Sequence, residues 1–122
     1  MKTLGLLAVL ISLAGCPQDP LIGDWQSRDL VAGKHNTLAV DEDMRGDSKI
    51  YFYIGSTPYY AEFNVDMISN QQNRYRLAFD CDGDCASLDF DMDCTVFTDT
   101  MSCSGTDKFS TYDFHWVREG GR

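Results

Sequence analysis

The sequence predicts an all-β chain folded as an eight-stranded antiparallel up-and-down (meander) barrel, and three observations carry that reading. From Trp25 onward apolar and polar residues alternate, the period of a strand with one buried face. Short clusters rich in Gly, Asp, Ser, Asn and Pro punctuate the alternation, among them "DEDMRGDS", "GSTP", "SNQQN", "DGD", "TD" and "SGTDK". The runs so delimited number eight, the count at which a small meander closes on its own side chains and loses its exposed edges.

In chain order the strands are expected near residues 23–29, 36–42, 48–54, 59–67, 74–81, 86–97, 100–105 and 110–118. In "RYRLAFDC", Tyr75, Leu77, Phe79 and Cys81 share one face, and Arg74, Arg76, Ala78 and Asp80 the other. In "SLDFDMDCTV", Leu88, Phe90, Met92, Cys94 and Val96 point inward while Asp89, Asp91, Asp93 and Thr95 point out. "STYDFHWVR" alternates in the same way, with Tyr112, Phe114 and Trp116 on one side. With Trp25, Phe52 and Phe63, these strands send nine large aromatics inward, so a barrel of this size is expected to be filled. Residues 21–122 read as one domain without repeat or linker.

Opposed residues must share a face, which tests register within the sequence. A two-residue turn at Gly83 and Asp84 sets Phe79 opposite Leu88, Leu77 opposite Phe90 and Tyr75 opposite Met92. On the outside it sets Arg76 against Asp91 and Arg74 against Asp93. In the next hairpin a turn at Thr98 and Asp99 brings Cys94 opposite Cys103, at a non-hydrogen-bonded pair where side chains come closest. Cys85 and Cys94 would be about 30 Å apart on one strand, and Cys81 nearly as far from Cys94. The predicted disulfides are therefore Cys81–Cys85 and Cys94–Cys103. The first needs a glycine bulge at Gly83, because a plain two-residue turn sends Cys81 and Cys85 to opposite faces.

The chain holds five cysteines, and an even four remain once Cys16 is set aside. Cys16 ends a different kind of segment. In "MKTLGLLAVLISLAG" Lys2 is the one charge, and the apolar run is too short to cross a bilayer comfortably, the layout of an export signal. The following "LAGC" resembles the lipobox of bacterial lipoproteins. The resemblance implies cleavage before Cys16, a diacylglyceryl group on its thiol, a membrane anchor there and a short tether over residues 16–20. It also implies the cell envelope as location. Pro17 stands where an Asp resembles an inner-membrane retention signal, so the outer membrane is favoured.

"LIGDWQS" carries Gly23 and Trp25 as G-x-W at the start of the first strand, and Arg118 ends the last. This set resembles the lipocalins and the wider calycin group. The resemblance implies a tryptophan plugging the closed end of the barrel and a final-strand arginine lying across its indole. Those roles fall on Trp25 and Arg118.

The net charge of −9 argues against nucleic acid or anionic lipid as partner and permits a basic protein. The cysteine spacings C-x3-C and C-x8-C match no zinc ribbon or finger, and no metal or other cofactor is expected. "DCDGDCASLDFD" resembles a calcium loop only superficially. It puts Cys85 and Asp91 where glycine and a bidentate glutamate belong, and it reads as a solvated acidic turn. No nucleophile elbow, zincin or phosphate-loop motif occurs, and His35 and His115 fall on outward or turn positions. The expected function is non-catalytic: an envelope-anchored binding or inhibitor module acting through its outer surface and loops. The alternatives are a lipocalin-like carrier of a small apolar ligand and a purely structural lipoprotein.

Overall fold

The computed structural model describes residues 19–106 and 111–119. Its strands are β1 (Gly23–Val31), β2 (Lys34–Val40), β3 (Arg45–Ile54), β4 (Thr57–Gln71), β5 (Arg74–Cys81), β6 (Phe90–Val96), β7 (Thr100–Thr106) and β8 (Thr111–Arg118). Each pairs antiparallel with the next, and β8 returns to β1 through Trp25↔Arg118 and Ser27↔Trp116, closing the barrel. This architecture is compatible with a lipocalin-like fold. Among the described residues there is no α-helix, only a 3-10 turn over Ala86–Leu88.

Alternation decides which side chains enter. In β5 Tyr75, Leu77 and Phe79 are buried, and in β6 Met92, Cys94 and Val96. The nine inward aromatics divide by depth. Trp25, Phe63, Tyr75, Phe79 and Trp116 are buried, whereas Phe52, Phe90, Tyr112 and Phe114 are half-buried toward one end. Phe90 is the hub: it stacks on Phe79 at 4.8 Å between centroids and meets Phe63 and Tyr112 edge-on at 5.4 and 5.5 Å. Phe114 carries the stack on to Trp116 at 5.9 Å. Such contacts add about 0.5–1.5 kcal/mol per pair beyond area burial.

The β6–β7 hairpin has the predicted register, with Cys94↔Cys103 and Val96↔Met101 about a two-residue turn. The β5–β6 register differs from expectation by two residues. Phe79 pairs with Phe90, Leu77 with Met92 and Tyr75 with Cys94; outside, Arg76 pairs with Asp93, while Arg74 pairs with Thr95. The cause is the connection, residues 82–89. The Cys81–Cys85 bridge and the 3-10 turn, in which Leu88 N–H donates to Cys85 O at 2.8 Å, consume chain that a two-residue turn would have left in β6. Leu88 is thereby 40% exposed instead of packing on Phe79. A slip of two keeps every side chain on its face, so parity survives while neighbours change. Arg76 still reaches its predicted partner Asp91, at 3.5 Å, and also takes Asp93, predicted for Arg74, at 3.2 Å.

Other boundaries move as well: β1 runs on to Val31, β2 lies at Lys34–Val40 instead of 36–42, β4 begins at Thr57, and β6 begins at Phe90 instead of 86. β3 begins at Arg45 instead of near 48, and β4 runs to Gln71 through an irregularity between Met67 and Ser69. Strand β4 is therefore 15 residues long against 8 in β5, and its excess length leaves the barrel.

Candidate functional site

One end of the barrel is sealed. Leu21 and Trp25 are fully buried there, and Trp25 Nε1–H donates to Leu21 O at 3.0 Å. The Arg118 guanidinium lies 4.2 Å from the Trp25 ring centroid and donates to Ile22 O at 2.9 Å and Pro20 O at 2.7 Å. Gly23 makes that approach possible: it holds φ at +136°, and an added Cβ would stand 2.7 Å from Arg118 Nη1. Asp19 ties the incoming chain to the same end. It accepts from Leu21 N–H at 3.0 Å and from the Tyr75 hydroxyl, which reaches it from within the barrel. Burial first, then the hydrogen bond to Asp19 and its charge, push the Tyr75 hydroxyl well above its ordinary pKa.

The four domain cysteines form two bridges of unlike environment. Cys94–Cys103 crosses β6 and β7 inside the barrel, both residues buried. Cys81–Cys85 closes the half-exposed loop at the other, open end. In that loop Asp82 and Asp84 are exposed, and Asp89 accepts the Cys81 N–H at 2.6 Å. Among the described residues no group of three or more His, Cys, Asp or Glu side chains is placed to hold a metal ion.

The outside carries charge. A groove of about 320 Å³ crosses the outer face of β2, β3 and β4, and Asp47, Glu62, Asp82 and Glu119 contribute four carboxylates to its lining against Lys49. On the opposite wall a shallow polar groove of about 710 Å³ runs over β5 to β8 past Arg74, Arg76, Asp93, Ser102 and His115. Both histidines lie outward, as the sequence predicts. His35 Nδ1–H donates to Ser27 O at 2.7 Å, and His115 Nδ1 stands 3.3 Å from Ser102 Oγ.

Sequence reasoning missed a third surface. Beyond Tyr51 and before Ala61, β3 and β4 project past their neighbours as a two-stranded arm. It exposes Tyr53 (53%), Ile54 (62%), Tyr59 (47%) and Tyr60 (55%). Tyr51 packs on Tyr60 at 5.8 Å, Phe52 stacks on Tyr59 at 6.1 Å, and Lys49 Nζ sits 4.2 Å from the Tyr60 centroid. The signal was present in "IYFYIGSTPYYA", residues 50–61, a run without a charged residue in a chain that is 24% charged. Leu30 and Leu88 add exposed apolar surface at the same open end.

Of the residues singled out from the sequence, Gly23, Trp25 and Arg118 meet at the sealed end, and the two disulfides lie inside the barrel and at its open rim. Cys16 and the whole of residues 1–18 lie outside the described residues. No protein-family model, no curated protein and no solved structure matches this chain.

Proposed function

We propose that the chain is an exported lipoprotein, anchored through Cys16, that works as a non-catalytic binding module for a basic protein of the cell envelope. The observation that carries this reading is the pairing of an aromatic-filled lumen with an acidic outer groove. Phe63, Phe79, Phe90 and Trp116 occupy the space in which a carrier would hold its ligand. The carboxylates of Asp47, Glu62, Asp82 and Glu119 lie outside, where a cationic surface can reach them. The position of the anchor supports the same picture. Cys16 is three residues before Asp19, so the sealed end would stand within about 10 Å of the attachment point. The open end and its loops would face away from the membrane.

The test uses the lipidated protein purified from its host. Mass spectrometry is expected to find a mature chain beginning at acylated Cys16, and native mass spectrometry no stoichiometric small molecule. Immobilised protein is expected to capture a basic envelope protein that elutes as salt rises, because screening weakens exposed charge contacts. Glu62→Lys and Asp47→Lys should each reduce that capture. A stoichiometric apolar ligand in the lumen would instead establish the lipocalin-like carrier, and an unmodified Cys16 in the membrane fraction would remove the anchor.

A further inference from the structure

Among the described residues the arm formed by β3 and β4 pairs with no strand along either edge. The β2–β3 ladder ends at Thr37↔Lys49, after which Asn36 Oδ1 accepts the Tyr51 N–H at 2.7 Å. On the other side the β4–β5 ladder ends at Phe63↔Cys81, with one further bond from Asp82 N–H to Glu62 O at 2.8 Å. An isolated two-stranded ribbon is marginal in water, and this one exposes Tyr53, Ile54, Tyr59 and Tyr60.

Its edges are poor templates for strand addition. Ile54↔Thr57 flank a two-residue turn, so alternate residues of β4, Pro58 and Tyr60, aim their backbone groups at the free edge. Pro58 has no N–H to give, and on β3 the Tyr51 N–H is already taken by Asn36. The side-chain faces are therefore the better contact surface. The outer face presents Tyr51, Tyr53, Pro58 and Tyr60, with Lys49 and Glu62 directly opposed at its base. Among the described residues neither Lys49 nor Glu62 belongs to an ion pair.

We infer that this face is a self-association surface, on which two copies pack their arms together about a twofold axis. An aromatic patch with one cation, held over the Tyr60 ring, and one anion at its base is its own complement under such an axis, since Lys49 of each copy meets Glu62 of the other. Charge selects the place. Two chains of net charge −9 repel over most of their surface, and residues 50–61 bring no charge to the contact. The area is that of a weak, reversible dimer. Tyr53 and Tyr60 are half exposed and offer about 100 Å² each, and Tyr51 and Pro58 widen the patch, which puts the contact below about 1,200 Å² in total, in the range of transient association. A twofold contact uses the same face on both copies and so closes at two.

The experiment places a benzophenone amino acid at Tyr53 of the full chain in its host and irradiates intact cells. Correct folding of each variant is checked by peptide mapping of the Cys81–Cys85 and Cys94–Cys103 bridges. A covalent homodimer is expected from position 53, none from the same probe at Ser104 on the outer face of β7, and at least a tenfold lower yield with Tyr60→Asp. Monomer alone, a homodimer insensitive to Tyr60→Asp, or an adduct of Tyr53 with another protein or with lipid would each overturn the proposal. Because Glu62 serves both surfaces, Asp47→Lys separates the two readings: Asp47 lines the groove and lies off the arm, so this change should lower the salt-sensitive capture and leave the Tyr53 homodimer yield unchanged.

Discussion

At the scale of single residues, the sealed end concentrates the most constraint. Arg118 packs its guanidinium over the Trp25 indole, donates to Ile22 O, Pro20 O and Thr98 O, and keeps its side chain 19% exposed. Arg118→Ala should lower the unfolding free energy by about 2 kcal/mol, from the lost ring contact and hydrogen bonds together. Arg118→Lys should recover only part of it, because an ammonium lacks the planar fork. Gly23→Ala should cost about 1–3 kcal/mol, because alanine resists a φ of +136° and its Cβ collides with Arg118. Urea unfolding of each variant checks these values. Tyr75 gives a pH dependence. Its folded pKa is raised above the ordinary 10, so above that pH the unfolded chain loses a proton that the folded chain keeps. Stability should therefore be flat up to about pH 10 and then fall by about 1.4 kcal/mol per pH unit for this one group. Tyr75→Phe should remove that component of the alkaline slope.

At the scale of elements, the two hairpins around β6 show how far a ladder follows from its turn. The tight turn at residues 98–99 admits one register, and Cys94 and Cys103 meet at a Cα separation of 4.0 Å. The 82–89 connection spends its residues on a disulfide and a 3-10 turn, and the register moves by two. The bridges should respond differently to reduction. With a mild thiol reductant and alkylation, Cys81 and Cys85 should be labelled first, because that bridge sits on the rim, whereas Cys94 and Cys103 are 2% and 3% exposed. Removing the inner bridge by Cys94→Ala with Cys103→Ala should cost about 2–3 kcal/mol for a loop of this size. Peptide mapping and urea unfolding read the two outcomes. The ion pairs of Arg76 with Asp91 and Asp93 are solvent-exposed and worth about 0.2–1 kcal/mol each; they report register more than they supply stability.

At the scale of the whole molecule, closure and charge work against each other. The barrel leaves no open edge except along the arm, and its core is continuous from Leu21 to Phe90. Its net charge of −9 is a self-repulsion that only the compact state concentrates. Raising sodium chloride from low to physiological concentration should therefore raise the melting temperature by a few degrees, as calorimetry can measure. The fold also separates its two ends. Asp19 enters beside Trp25 and Tyr75, while the aromatic arm and the Cys81–Cys85 loop stand at the opposite rim. The proposed anchor at Cys16 would leave that rim free to make contacts.

The sequence by itself determined strand number, order and the face of nearly every side chain, because period-two alternation and turn residues are local properties of a few neighbouring positions. It also determined the Cys94–Cys103 bridge, since a two-residue turn leaves one register. Only the tertiary structure decided that Phe79 meets Phe90, that Leu88 lies outside and that Arg74 faces Thr95. Those are relations between strands, set by how much chain a connection consumes. It alone decided that residues 50–61 leave the barrel as an arm. A strand projects only where its pairing to both neighbours ends early: the β2–β3 ladder stops at Thr37 while β2 runs on beside β1 to Lys34, and β5 stops at Cys81, both set by the closure of the entire sheet. The acidic groove arose in the same way, assembled from three strands, a loop and the residue after β8 by a curvature that no one segment encodes.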